Sequence, residues 1–368
     1  MPSHRRRLGA THLVLIAVAA LLGSAGLFAA VTGSASARPT PTPTPNSSPR
    51  VTSPTDNHAH AGPDPADFAD IRRARPDARP PRNGPSASTG TFTARCGRNE
   101  NGHRNPDNFI VTPGVRNGAH HLHDYVGNLS TDAFSTDASL RAAGTTCARG
   151  DRSAYFWPVL RLTDRKDPKD KDPKGKDPKS KSPEAPEAPA APDGNTGRVL
   201  TPDSAALTFR GNPAARVTAM PAGLRAITGD AKAFTAGPGN ARAQWGCTGV
   251  AGRHFGDKYP LCPRGSKVVR LLDFPSCWDG RNIDSADHRA HLAFPDARTG
   301  RCARGLRPVP QLRMELTYSV PPGPVFAVDS FPEQLRKPVT DHADFANVMP
   351  DDLMATVVRC VNSGRRCG

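Results

Sequence analysis

Residues 112–128 read TPGVRNGAHHLHDYVGN, in which His120, His121, His123 and Asp124 fall within five positions bracketed by Gly114, Gly118 and Gly127. Imidazole titrates nearest neutral pH and is the commonest metal ligand, so this run points to a metal centre or to acid–base work. Two further clusters follow. One is SCWDGRNIDSADHRAH, with Asp287, His288 and His291; the other is DHADFAN, with Asp341, His342 and Asp344. The expectation is one shared site where the three segments meet, with His121, His123, Asp287, His288, His342 and Asp344 as its chemical groups.

Two mechanisms could use that set. On an extended segment His121 and His123 project from one face, roughly 6–7 Å apart at the backbone. That suits two ligands of one divalent metal ion, with His342 (or Asp344 or His288) as the third and water completing the sphere. Asp124 or Asp287 would orient a ligand imidazole through its other nitrogen. Without metal, one histidine serves as general base, a carboxylate fixes its tautomer, and a second His or Asp is the acid. The plainer reading makes these histidines hydrogen-bonding staples of loops in a helix-poor domain. His288 and His291 stand at i, i+3 and share a face only on a helix; the strand-like Leu292-Ala293-Phe294 that follows favours His288 for the site. Trp278 offers a face for stacking on a sugar ring, or packs in the core beside a disulfide. Glu315 points into the site or, as a strand residue, to solvent. Nucleotide cofactors are not expected, because no nucleophile elbow, P-loop or dinucleotide fingerprint occurs.

The chain that must position these groups opens with Arg5, Arg6 and Arg7, an apolar run over 13–31 and Ala35-Ser36-Ala37. That pattern predicts a secretory signal peptide over 1–37. The apolar run is also long enough to span a bilayer as an uncleaved anchor, the only membrane association the sequence offers. Both readings put the rest outside the cytoplasm. All eight cysteines follow the signal and no C-x-x-C occurs, so disulfides rather than a zinc ribbon are expected. Short loops close at the lowest entropic cost, which favours Cys96–Cys147, Cys247–Cys262, Cys277–Cys302 and Cys360–Cys367. The formal charge of +15 is dispersed rather than gathered into one basic block. Its natural partners are polysaccharide and anionic cell-wall polymers, and nucleic acid is not expected.

Residues 38–90 are rich in Pro, Ser, Thr, Asp and Arg and predict a disordered spacer. The Lys-Asp-Pro repeat over 166–192 has almost nothing to bury and predicts a disordered insertion inside one domain, 91–368. Within that domain, strand-like segments stand at 206–209, 267–274, 312–320 and 325–328, and helical ones at 135–143 and 350–361. The fold class expected is mainly β (β-rich α+β): one disulfide-stapled domain of packed antiparallel sheets, with long loops carrying the polar residues.

PGVRNGAHHLHDYVGN, then FPSCWDGRNIDSADHRAHLAFP with a following Gly-x-Cys, then VPQLRMEL and HADFAN, together resemble DUF1996, a family of secreted proteins of fungi and bacteria. The resemblance covers about 109–360 and draws in Cys277, Trp278, Asp279, Asn282, His291 and Asn347 beside the groups above. One departure is Asn347-Val348-Met349 where the family continues Asn-Gly-Trp. The family often stands beside carbohydrate-binding modules, which implies a carbohydrate-active or wall-modifying domain using the His/Asp site, by hydrolysis or lyase chemistry. The rival is a non-catalytic extracellular glycan- or wall-binding protein.

Overall fold

The structure is a computed structural model and describes residues 63–163 and 194–368. The predicted signal (1–37), the first part of the spacer and the insertion 166–192 lie outside the described residues. Two antiparallel sheets dominate. The larger has seven strands in the order Val250–Phe255, Gln244–Cys247, Val268–Asp273, Gln311–Tyr318, Ser204–Arg210, Thr91–Ala94 and Arg366–Cys367, the last pair being parallel. Its inner face follows from alternation: in Gln311–Tyr318 the residues Leu312, Met314, Leu316 and Tyr318 are buried while Glu315 is exposed. Glu315 therefore takes the solvent-facing alternative.

The smaller sheet has five strands, Arg104–Asn105, His123–Gly127, Ala154–Pro158, His342–Ala346 and Arg225–Gly229. Both of its faces are covered, which is why three of these strands are buried at every position. Val126, Tyr155, Trp157, Ala343, Phe345 and Ala226 turn toward the large sheet and join one apolar core with Leu207, Phe209, Val268 and Met314. The opposite face carries Tyr125, Phe156, Ile227 and Ala346 under Phe109 and Leu140, from the loop and helix that cover it. Each Val, Leu, Ile, Phe or Met side chain among these contributes about 1.5–3 kcal/mol over its exposed state.

Asp137–Ala142 and Asp351–Asn362 form the two expected helices, the first capped by Thr136, the second with Asp351 and Asp352 in its first turn. The four cysteine pairs are those expected from loop length. No helix among the described residues is long and apolar enough to cross a membrane.

The spacer is shorter than predicted. Phe68–Asp70 pairs in parallel with Tyr259–Leu261, Ile71 and Ala74 are buried, and Lys337 pairs with Asp67 at 2.9 Å. Thus residues from 63 onward belong to the folded part. Composition over a window hid this, because a few apolar residues among Pro, Asp and Arg suffice to dock a strand. The insertion, by contrast, leaves and rejoins one antiparallel pair: Leu160–Leu162 runs beside Arg198–Leu200, with Leu162 opposite Arg198.

Candidate metal centre

Register brings two of the histidines together. Asp344 and Tyr125 both stand opposite Phe156, and His123 stands opposite Pro158. Two residues before Asp344, His342 therefore flanks Pro158 from the other side, on the same face as His123. His121 arrives from the preceding loop, where His120 takes a left-handed conformation (φ 54°) that turns the chain inward. The outcome is a convergence of ring tips. His121 Nε2 lies 3.1 Å from His123 Nε2 and 3.2 Å from His342 Nε2.

Hydrogen bonds on the far side of two rings fix their protonation. His123 Nδ1 donates to the Asp107 carbonyl at 3.2 Å and His342 Nδ1 to the Thr340 carbonyl at 2.9 Å. Burial holds all three rings toward the neutral form, most strongly at His121 and His123, where the neighbouring imidazoles add to it. A neutral ring with Nδ1–H has a bare lone pair at Nε2, so His123 and His342 both present acceptors to the same point. His121 can donate one proton to one of them, and the remaining lone pair then faces nitrogen at hydrogen-bond distance with nothing between. A cation relieves that arrangement. Three nitrogens about 2.0–2.1 Å from a tetrahedral zinc-like ion stand roughly 3.3 Å apart, close to the spacing observed. These are the three residues among those described, disulfide sulfurs aside, whose ligand atoms gather within 4.8 Å.

The surroundings make the centre rigid and secluded. His121, His123 and His342 are 1, 0 and 5 % exposed, so all three are buried and His342 is the least covered. Phe331 packs edge-on against His121 at 5.3 Å, with Lys232 over the Phe331 ring. Asp107 clamps the covering loop: its carbonyl also accepts from the Tyr125 hydroxyl at 2.6 Å, and its carboxylate accepts from the backbone of Asn117 and Ala133. Gly229, opposite His342 with φ 76°, is required there, because a Cβ would meet the Asp341 carbonyl at 2.2 Å and His342 Cα at 2.7 Å. Beneath the centre, Arg270 crosses from the large sheet to form a fully buried ion pair with Asp341, and donates to the Pro158 carbonyl at 2.9 Å.

Asp344 lies on the same face as His342. Burial pushes its carboxyl up to about 7, against the pull of the Arg289 charge and the Asn108 amide; Oδ2 accepts from Asn108 at 3.3 Å and Oδ1 has no partner among the described residues. The remaining candidates go elsewhere. Asp124 turns to the opposite face and pairs with Arg104 at 2.6 Å, so backbone carbonyls, not Asp124 or Asp287, orient the imidazoles. Asp287 is exposed and accepts from the backbone of Arg289 and Ala290, capping a turn. His288 pairs with Asp284 at 3.0 Å, while His291 binds Ser285 and the Arg225 carbonyl, which makes it a staple between loop and sheet. The expected helix-or-strand choice for 285–291 resolves into turns, so neither histidine reaches the triad. Trp278 is half-buried against the core and donates to the Asn282 carbonyl at 2.7 Å, beside the Cys277–Cys302 bridge.

Sequence reasoning missed Asp107, Arg270 and Gly229. Arg270 did leave a signal, as the lone charge in the apolar strand VVRLL. The family model for a domain of unknown function, DUF1996, matches residues 108–347. The chain belongs to the DUF1996 family. The match spans every member of the triad and ends at Asn347; Val348 and Met349, where this DUF1996 domain departs from the motif, are both buried. No curated protein and no solved structure matches the chain.

Proposed function

We propose that this DUF1996 domain works outside the cytoplasm as a carbohydrate-active or wall-modifying enzyme, with one divalent ion held by His121, His123 and His342. The observation that carries the metal is the pair of bare Nε2 acceptors facing a third imidazole at 3.1 and 3.2 Å. The signal-like N-terminus and four disulfides support the compartment. The carbohydrate assignment rests on the family's company, an analogy rather than a site argument. An ion so held supplies Lewis-acid chemistry suited to hydrolysis or lyase steps. Asp344, roughly 6–7 Å along the strand from His342 at the backbone, has an unengaged Oδ1 that can take up or return a proton beside it.

A second reading keeps the ion and drops the catalysis. The burial of all three ligands favours a closed, structural metal centre in a glycan- or wall-binding protein. Elemental analysis of the native protein tests the ion, with about one metal per chain expected and none in His123→Ala. Turnover on a polysaccharide panel, lost in His123→Ala while the fold persists, supports the enzyme; binding without turnover supports the second reading. Metal-free native protein would sink both.

A further inference from the structure

A cavity of about 230 Å³ lies one strand over from the triad, with Ile227 on its floor and Arg242, Arg289, His288 and Asn240 around it. Ile227 stands opposite Asp344, and Gly229, whose carbonyl accepts from Arg289 Nη2 at 2.8 Å, stands opposite His342. Adjacent strands are about 4.7–4.9 Å apart, so cavity and triad are neighbours on one sheet face. Its lining carries two guanidinium groups. Some arginines of the described structure, among them Arg104, Arg161, Arg210, Arg225, Arg270 and Arg313, each meet an aspartate. Arg242 and Arg289 form no ion pair among the described residues. Arg242 lies over the Phe294 ring at 5.1 Å and gives Nη1 to the Gly239 and Ala241 carbonyls. Arg289 spends Nη2 on Gly229 and leaves Nε and Nη1 without a hydrogen bond to any described residue. The one carboxylate on the rim, Asp287, has an oxygen committed to the backbone of Arg289 and Ala290 and to Ser285.

We infer that this cavity is an oxyanion subsite, in which the two unpaired guanidinium groups bind a carboxylate or phosphate carried on a sugar chain. A planar fork with an open edge, such as that of the half-buried Arg289, matches an oxyanion bidentately; the same charge acts on the buried Asp344 carboxyl one strand away but forms no ion pair with it. That the oxyanion belongs to the substrate rests on the proposed carbohydrate role; the subsite itself stands on the two arginines. Bound there, an anionic unit would hold the adjacent part of the chain against the His342 side of the triad, where its rings are least covered.

Calorimetric titration of the full chain tests this with an oligogalacturonate, its methyl ester, a neutral oligosaccharide and an oligosaccharide bearing phosphate groups. The expected result is salt-sensitive binding of one or both anionic chains and none of the other two, with the anionic partner that binds identifying the source. Arg289→Gln and Arg242→Gln should each weaken it at least tenfold with metal content unchanged. Should Arg289→Gln fail to fold, the exposed Arg242 still decides the matter. Metal content measured on the same samples tells loss of the ion from loss of the subsite. Equal affinity in wild type and Arg242→Gln, equal binding of ester and acid, or no binding of either anionic chain would overturn the subsite.

Discussion

At the scale of single residues, the triad is held by groups that cannot titrate away. Two backbone carbonyls, those of Asp107 and Thr340, fix the imidazole tautomers where carboxylates were expected. His121→Ala and His342→Ala are therefore expected to lose the bound ion, whereas Asp287→Asn and His288→Ala should retain it; elemental analysis of the four purified variants reads this directly. Gly229→Ala should also weaken metal binding severalfold, because its Cβ collides with the Asp341 carbonyl and the His342 backbone and its left-handed conformation strains any L side chain. Wild-type affinity in that variant would show that His342 tolerates displacement. Three histidines in a row of clusters were legible as a site from their types alone. Which two clusters would meet was not, since His288 sits beside Asp284 for reasons of turn geometry that spacing does not encode.

At the scale of elements, the two sheets are joined under the centre by Arg270 and Asp341, both fully buried. Removing one partner leaves an uncompensated charge, so Arg270→Ala is expected to cost about 3–5 kcal/mol, or roughly 10 °C in melting temperature for a domain of this size. Arg270→Met with Asp341→Leu should recover part of that loss; a single variant that melts like wild type would remove the clamp from the account. A second element-level tie is Asp273, which bridges Arg210 and Arg313 across three strands. Burial raises its carboxyl, but Arg313 and Arg210 prevail and hold it below the usual carboxylate range. A depressed folded-state value adds stability above the unfolded carboxylate pKa of about 4, and that stability is lost as pH falls through the folded value. The denaturant midpoint of Asp273→Asn should accordingly trail wild type at pH 7, with the gap closing as pH falls below the unfolded carboxylate pKa of about 4 and through the folded value. A gap that stays constant with pH would mean that the bridge is not ionic.

At the scale of the whole molecule, the limits of the folded part are open to test. A chain starting at 91 should be less stable by several kcal/mol than one starting at 63, because Phe68 and Ile71 lose their places and each is worth about 1.5–3 kcal/mol. Deletion of 166–192 should leave the melt nearly unchanged, since its flanks already meet across a strand pair and shortening a loop alters closure entropy by only about 0.6 kcal/mol per halving. Comparative thermal melts check both. The sequence by itself determined what depends on local chemistry: alternation set the strands around 312–320, short loop lengths favoured the four disulfides, and residue types marked the histidine clusters without saying which would meet. Tertiary structure alone decided the rest. Register across three strands put His123 and His342 on either side of Pro158, a relation between residues some 220 positions apart that no window of sequence contains. Likewise Asp124 fell to the opposite face from its neighbour His123, because successive residues of a strand point opposite ways and only the packing of the second sheet decides which way is which.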